Sequence, residues 1–112
     1  DEDETLHVFM LEPELEDLIR DGFEQTDQGI VLHLSPVKIE NFCLALGKQS
    51  QKMNQFGFPQ ILLVSPSIRV AVRQMTESAL PSLTIMSFNE ISKDTKVDSI
   101  ETISANVLDN RN

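Results

Sequence analysis

At 112 residues and 12.6 kDa the chain has the length of one domain, and 40% apolar with 24% charged residues is a globular composition. No apolar run approaches the roughly 20 residues needed to cross a bilayer, no basic-then-apolar signal segment opens the chain, and a single cysteine, Cys43, excludes an internal disulfide or a multi-cysteine zinc site. The net charge of −9 is uneven: residues 1–27 hold eleven acids against Arg20 alone, whereas residues 28–112 hold seven acids against eight bases. A duplex or an acidic membrane would repel that first quarter, and six Phe without Tyr or Trp offer few stacking platforms, so nucleic-acid binding is not expected.

Asp1–Thr5 reads as a ragged start. Leu6–Leu11 contains the apolar run Val8-Phe9-Met10-Leu11, a short buried strand. Pro13 then opens a helix in which Leu15, Leu18, Ile19 and Phe23 recur at helical spacing, with Glu14, Glu16, Asp17 and Asp21 opposite. Gly22 and the polar stretch 24–29 close it. Ile30–Leu34 is a second strand.

Ser35-Pro36 starts a second helix, since Ser caps well and Pro at the first helical position loses no needed hydrogen bond. Ile39, Phe42, Cys43 and Leu46 form its apolar stripe. Beyond Gly47 only Met53 is apolar, so the helix is expected to run into solvent before Gly57.

Ile61-Leu62-Leu63-Val64 implies a strand buried on both faces, as in the middle of a parallel sheet. Ser65-Pro66 repeats the helix start, with Ser65 as cap. Ile68, Ala71, Val72, Met75 and Ala79 make a clean amphipathic stripe that Pro81 stops. Leu83–Phe88 is a fourth strand and Val97–Ile103 a weaker edge strand. Residues 1–105 thus read as a single α/β domain and 106–112 as a frayed tail. Strands alternating with helices imply parallel pairing, giving β-α-β-α-β-α-β-β: an open, mostly parallel α/β sheet with helices on both faces, its strand order unreadable.

Ligands of such sheets bind beyond the carboxyl ends of the strands. Glu12, Ser35, Ser65 and Ser87–Glu90 stand there, and none resembles a phosphate cradle: Pro occupies each turn where glycines would be needed, and Glu12 would repel phosphate. Ser65 lacks the Gly-x-Ser-x-Gly surroundings of a nucleophile. Cys43 on an apolar stripe reads as a packed thiol, and His7 and His33 have no metal spacing. No catalytic residue, cofactor or metal is expected. Arg69, Arg73 and Glu77, at i, i+4 and i+8, line one exposed face: either a solvated surface or a contact. A small α/β enzyme or nucleotide-binding domain is the alternative reading, marked by a nucleotide-induced melting shift.

Two segments resemble a known family. Pro59–Arg69, Val70-Ala71-Val72-Arg73, Glu77, Leu80-Pro81-Ser82-Leu83 and Ser87–Ile91 look like the last subdomain of the type III secretion export-gate family, also called the flagellar/HR/invasion export-pore family (FlhA/InvA/YscV type). Glu16–Gly22, Gln25-Thr26, Gly29 and Val31-Leu32-His33-Leu34 look more like its injectisome branch. Phe23-Glu24 and Phe88 depart from the family pattern.

The resemblance implies a non-enzymatic, Rossmann-like cytoplasmic subdomain of a multi-pass inner-membrane protein, whose membrane half lies outside this chain. The cytoplasmic regions would form a nonameric ring that receives the stalk protein of the export ATPase complex and chaperone–substrate complexes, while the isolated piece is monomeric. Partner-binding candidates are Arg69 and Arg73 on one side and Glu14, Glu16, Asp17 and Asp21 on the other.

Overall fold

The computed structural model describes residues 5–109. Six strands, β1 (Thr5–Leu11), β2 (Phe23–Thr26), β3 (Gly29–Leu32), β4 (Ile61–Val64), β5 (Thr84–Ser87) and β6 (Lys96–Ile103), alternate with three α-helices, α1 (Pro13–Asp21), α2 (Pro36–Gln55) and α3 (Arg69–Thr76). Four strands form a parallel sheet in the order β5-β4-β1-β6, as an α/β alternation dictates.

The run Ile61–Val64 is buried throughout because it lies second from the edge, between β1 and β5, and covered on both faces. Its side chains alternate. Leu62 and Val64 join Phe9 and Leu11 in the main core, which also holds Leu15 and Ile19 of α1, Phe42, Leu46 and Met53 of α2, and Ala71, Val72 and Met75 of α3. Ile61 and Leu63 join Val8 in a second cluster, flanked by Leu6, Met10, Met86 and Ile91. The steps β1→β4→β5 progress in one direction, so right-handed crossovers put their helices on one face. The return from β5 to β6 runs the other way and must cross the opposite face. There the connector 88–95, with a 3-10 turn at Phe88–Glu90, supplies Ile91. The mostly parallel α/β sheet is as expected. The expectation of α-helices on both faces is refined: all three share one core cluster, and the second face has this connector.

Four local expectations are corrected. Phe23–Thr26 is not helix end and loop but a strand, paired antiparallel with Gly29–Leu32 in a separate hairpin, so the second strand read from sequence never joins the parallel sheet. The turn is fixed by Thr26, whose Oγ1 donates to Gly29 O and accepts from Gln28 N, and by Gly29 at φ +122°, which favours glycine. Second, α2 does not enter solvent after Gly47: Gln49, Ser50 and Met53 are buried. Third, the helix expected from Ser65-Pro66 to Ala79 is a 3-10 turn, Pro66–Ile68, followed by α3, which ends at Thr76 and leaves Ala79 exposed. Fourth, the tail expected to fray from residue 106 is packed as far as Leu108. That residue is buried in a 3-10 turn, Ala105–Leu108, and its carbonyl accepts from Asn41 Nδ2 at 2.8 Å. Residues 1–4 and 110–112, which the ragged start and the tail also included, lie outside the described residues.

Two glycines give opposite expectations. A Cβ at Gly22 would stand 2.7 Å from Leu34 Cγ and 3.1 Å from the Leu18 carbonyl, where the hairpin folds back on α1. Gly22→Ala is expected to destabilise by about 1–3 kcal/mol through this overpacking. At Gly47, inside α2, the nearest atom is Leu80 Cδ2 at 3.4 Å, so Gly47→Ala is expected to stabilise by about 0.5–1 kcal/mol through helix propensity. Urea unfolding of the two variants, opposite in sign, checks both.

Candidate functional site

The usual ligand position of such a sheet is filled by the chain itself. The strand order changes direction between β1 and β6, where a crevice opens in many α/β sheets. Here Glu12 N donates to Ile103 O at 2.9 Å, and the turn after β6 packs Leu108 into the same core as α1 and α2. Next to it, the Glu16 carboxylate accepts from the Ser65 amide and the Ser65 hydroxyl, both at 3.0 Å. Ser65 is therefore not the side-chain helix cap its Ser-Pro context suggests; its hydroxyl serves a latch between α1 and the end of β4. Ser35 does cap α2, accepting from Lys38 N at 3.2 Å.

This latch sorts the acidic candidates. Glu16 is half-buried and spent inside the fold. Asp17 pairs with Arg20 at 2.7 Å within the exposed face of α1. Glu14 and Asp21 are exposed and make no ion pair among the described residues.

The basic candidates divide in the same way. Arg69 is half-buried rather than solvated: its Nε lies 2.7 Å from Glu90 Oε2. Glu90 in turn closes a capping box, accepting from Ser87 N at 2.8 Å and from Ser87 Oγ at 2.9 Å; Ser87 Oγ also contacts Asn89 Oδ1. The Ser87 amide and hydroxyl, with the Arg69 charge behind them, hold the Glu90 carboxyl below the usual carboxylate range. Arg73 and Glu77 are exposed, one helical turn apart, with no ion pair among the described residues. Arg69, Arg73, Glu77 and Glu90, with Leu80 and Ile85, line a concavity of about 360 Å³ between α3 and β5, which Met86 also borders. The acidic and basic candidates thus sit on separate elements, α1 and α3.

Sequence reading missed the role of Glu90 in this network, although Ser87-x-x-Glu90 is a readable capping-box spacing. It also missed an open apolar groove of about 780 Å³ between α2 and the end of α3, lined by Ile39, Cys43, Leu44, Met75 and Ala79 among others. The exposed Ala79 that lines it follows from the early end of α3. Cys43 is half-buried on its wall, its Sγ 3.3 Å from the Met75 carbonyl, and burial pushes the thiol pKa up, away from a reactive thiolate. His7 stacks on Phe58 with centroids 4.0 Å apart and lies 3.3 Å from Asp98; His33 sits 3.2 Å from Glu24. No group of three or more His, Cys, Asp or Glu able to hold a metal occurs among the described residues.

Two expectations follow. Glu16→Ala strands the Ser65 amide and should cost about 1–3 kcal/mol, whereas Glu14→Ala should stay within about 0.5 kcal/mol of the parent in chemical unfolding. Because the Glu90 carboxyl is lowered in the folded state, its contribution is complete at neutral pH and disappears as pH falls through the usual carboxylate range and below. Glu90→Gln should therefore lose stability relative to the parent at pH 7, and the gap should close in acid; a gap independent of pH would contradict this.

The FHIPEP family model matches residues 1–96. The flagellar biosynthesis protein FlhA of Bacillus subtilis is 33% identical over 99 residues, which is 88% of this chain and 15% of that protein. Among solved structures, nonameric SctV-C of EPEC aligns with a TM-score of 0.71 at 26% identity, over 89% of this chain and 29% of that one. The complex of Chlamydia pneumoniae CdsV and CdsO aligns with a TM-score of 0.70 at 27% identity, over 88% of this chain and 29% of that one. The chain spans about 15% of the FlhA relative's length. With the family model covering all but the last 16 residues, the chain belongs to the FHIPEP family of type III and flagellar export proteins.

Proposed function

We propose that this chain is the last cytoplasmic subdomain of a bacterial type III secretion export gate of the injectisome branch, acting as a non-enzymatic binding module. The family match over residues 1–96 supports the export-gate, non-enzymatic part of this reading; the injectisome branch rests on the resemblance of Glu16–Gly22 and Val31-Leu32-His33-Leu34. In the proposal, the chain through Leu108 is one domain at the cytoplasmic face of the inner membrane, tethered through a membrane half outside this chain. No helix among the described residues is long and apolar enough to cross a membrane.

The intact cytoplasmic region would assemble as a ring, while the isolated chain runs as a monomer. The likeness to a nonameric SctV-C supports the ring, and the likeness to CdsV in a complex with CdsO supports the binding of a partner at such a domain. The partners proposed are the stalk protein of the export ATPase complex, chaperone–substrate complexes and neighbouring copies.

Of the candidate contacts, Arg73 on α3 and Glu14 and Asp21 on α1 have charges left over for a partner. Arg69, Glu16 and Asp17 are already engaged by Glu90, Ser65 and Arg20 respectively. Exposed pairs are worth only about 0–1 kcal/mol each and are screened by salt, so charge reversal is a better probe than deletion. In calorimetric titration with the purified stalk protein, Arg73→Glu and the double reversal Glu14→Lys, Asp21→Lys should each weaken binding about fivefold at low salt, with melting unchanged. Unaltered binding in both would reduce these faces to solvated surface and remove the site from the proposal.

A further inference from the structure

We infer that the outer edge of β5 is a docking site for an extended segment of a partner polypeptide, which adds as a strand and carries an acid and a base two residues apart. The inference deepens the reading of α3 as a partner-binding face, and rests on it, by naming the shape and the charge order of what binds there.

The first observation is the backbone. β5 is the outer strand, with β4 on one side and none of the described strands on the other. Thr84 N donates to Gln60 O at 2.9 Å, so Thr84 and, two residues on, Met86 turn their backbone groups toward β4. Ile85 and Ser87 then face outward. The Ser87 amide is taken by the Glu90 carboxylate, which leaves the N–H and C=O of Ile85 as the unshared pair on this edge. One residue with both groups free is what an added strand engages at each pairing position.

The second observation is the charge order beside it. α3 connects two parallel strands, so it runs antiparallel to β5, and Glu77, Arg73 and Arg69 follow one another along the edge from its start to its end. Arg69 is neutralised by Glu90. Glu77 and Arg73 line the concavity and are unpaired among the described residues. They are one helical turn apart, about 6 Å, which matches the roughly 6.8 Å between alternate side chains of a strand. A strand added antiparallel to β5 would meet Arg73 first and Glu77 two residues later. Its matching sequence is acid-x-base.

The middle residue of that triplet points to the opposite sheet face. There Met86 and Ile91 line a second concavity, so an apolar side chain suits it. The occupant is thus an extended acid–apolar–base segment.

The test uses two synthetic pentapeptides of identical composition, Val-Glu-Val-Lys-Val and Val-Lys-Val-Glu-Val, which differ only in the order of the two charges. Amide NMR of the 112-residue chain is read on titration. The Glu-Val-Lys peptide should shift and protect the Ile85 amide and bind about tenfold more tightly than its swapped twin, the difference shrinking with salt. The variant Arg73→Glu with Glu77→Lys, both positions exposed, should invert the preference. Equal binding of the two peptides, perturbation centred on the α2–α3 groove, or an unmoved Ile85 amide would each overturn the inference. An unmoved Ile85 amide together with stalk binding that still falls in Arg73→Glu would leave the proposed role of α3 standing and reject only the strand.

Discussion

The structure depends on the burial of β4 from both sides. Four consecutive apolar residues, Ile61 to Val64, must be hidden, and alternation sends Leu62 and Val64 to one face and Ile61 and Leu63 to the other. Each fully hidden side chain of this kind contributes about 1.5–3 kcal/mol relative to exposure, so neither face can be left bare. Handed crossovers then decide what covers what. The long excursions through α1, α2 and α3 cover one face, and the return to β6 covers the other. β1 pairs with β4 and with β6, joining the beginning of the described chain to its end.

Once that sheet is closed, the charges nearest to it are committed to holding connections. Glu16 secures the turn after β4, and Glu90, backed by Arg69, secures the turn after β5. Both act at carboxyl ends of strands, where other α/β sheets keep a ligand. A carboxylate that accepts two hydrogen bonds from a serine amide and hydroxyl is a structural substitute for a bound anion. Of the charged partner-binding candidates, this leaves Glu14 and Asp21 on α1 and Arg73 on α3 uncommitted at the surface.

Much of the architecture was legible from local pattern. The apolar run of β4, the Pro at the start of α1 and α2, and the Ser35 cap each sit where short-range chemistry places them. The hairpin was not legible, because Phe23-Glu24-Gln25-Thr26 has no alternation strong enough to read as a strand; its pairing is set by the Thr26–Gly29 turn and by Phe23, Leu32 and Leu34 packing on the main core. The burial of Gln49 and Ser50 was also hidden, since polar residues at those positions carry no sequence signal of burial. Charge roles were the least legible. Glu14 and Glu16, or Arg69 and Arg73, look equivalent in sequence, and only long-range contacts 49 residues apart in one case and 21 in the other separate the structural member from the free one.

The two edges of the sheet show different solutions to the same hazard, that an unpaired strand recruits another. β6 is long, but Lys96, Asp98, Ser99 and Glu101 are exposed along it, and the register shift opposite Val8 and Phe9 disrupts its regularity. Those features resist addition. β5 carries none of these charges on its own residues: Thr84 is its exposed side chain, Ile85 and Ser87 are buried, and its protection is brevity plus the Glu90 carboxylate on one amide. A four-residue edge with a single free amide is too short to recruit strands indiscriminately, since a partner gains little from backbone pairing alone. Selectivity must then come from side chains beside the edge, and Arg73 and Glu77 are the charged groups placed to provide it. The less defended edge therefore coincides with the uncommitted charges of α3, whereas the well-defended edge faces away from them.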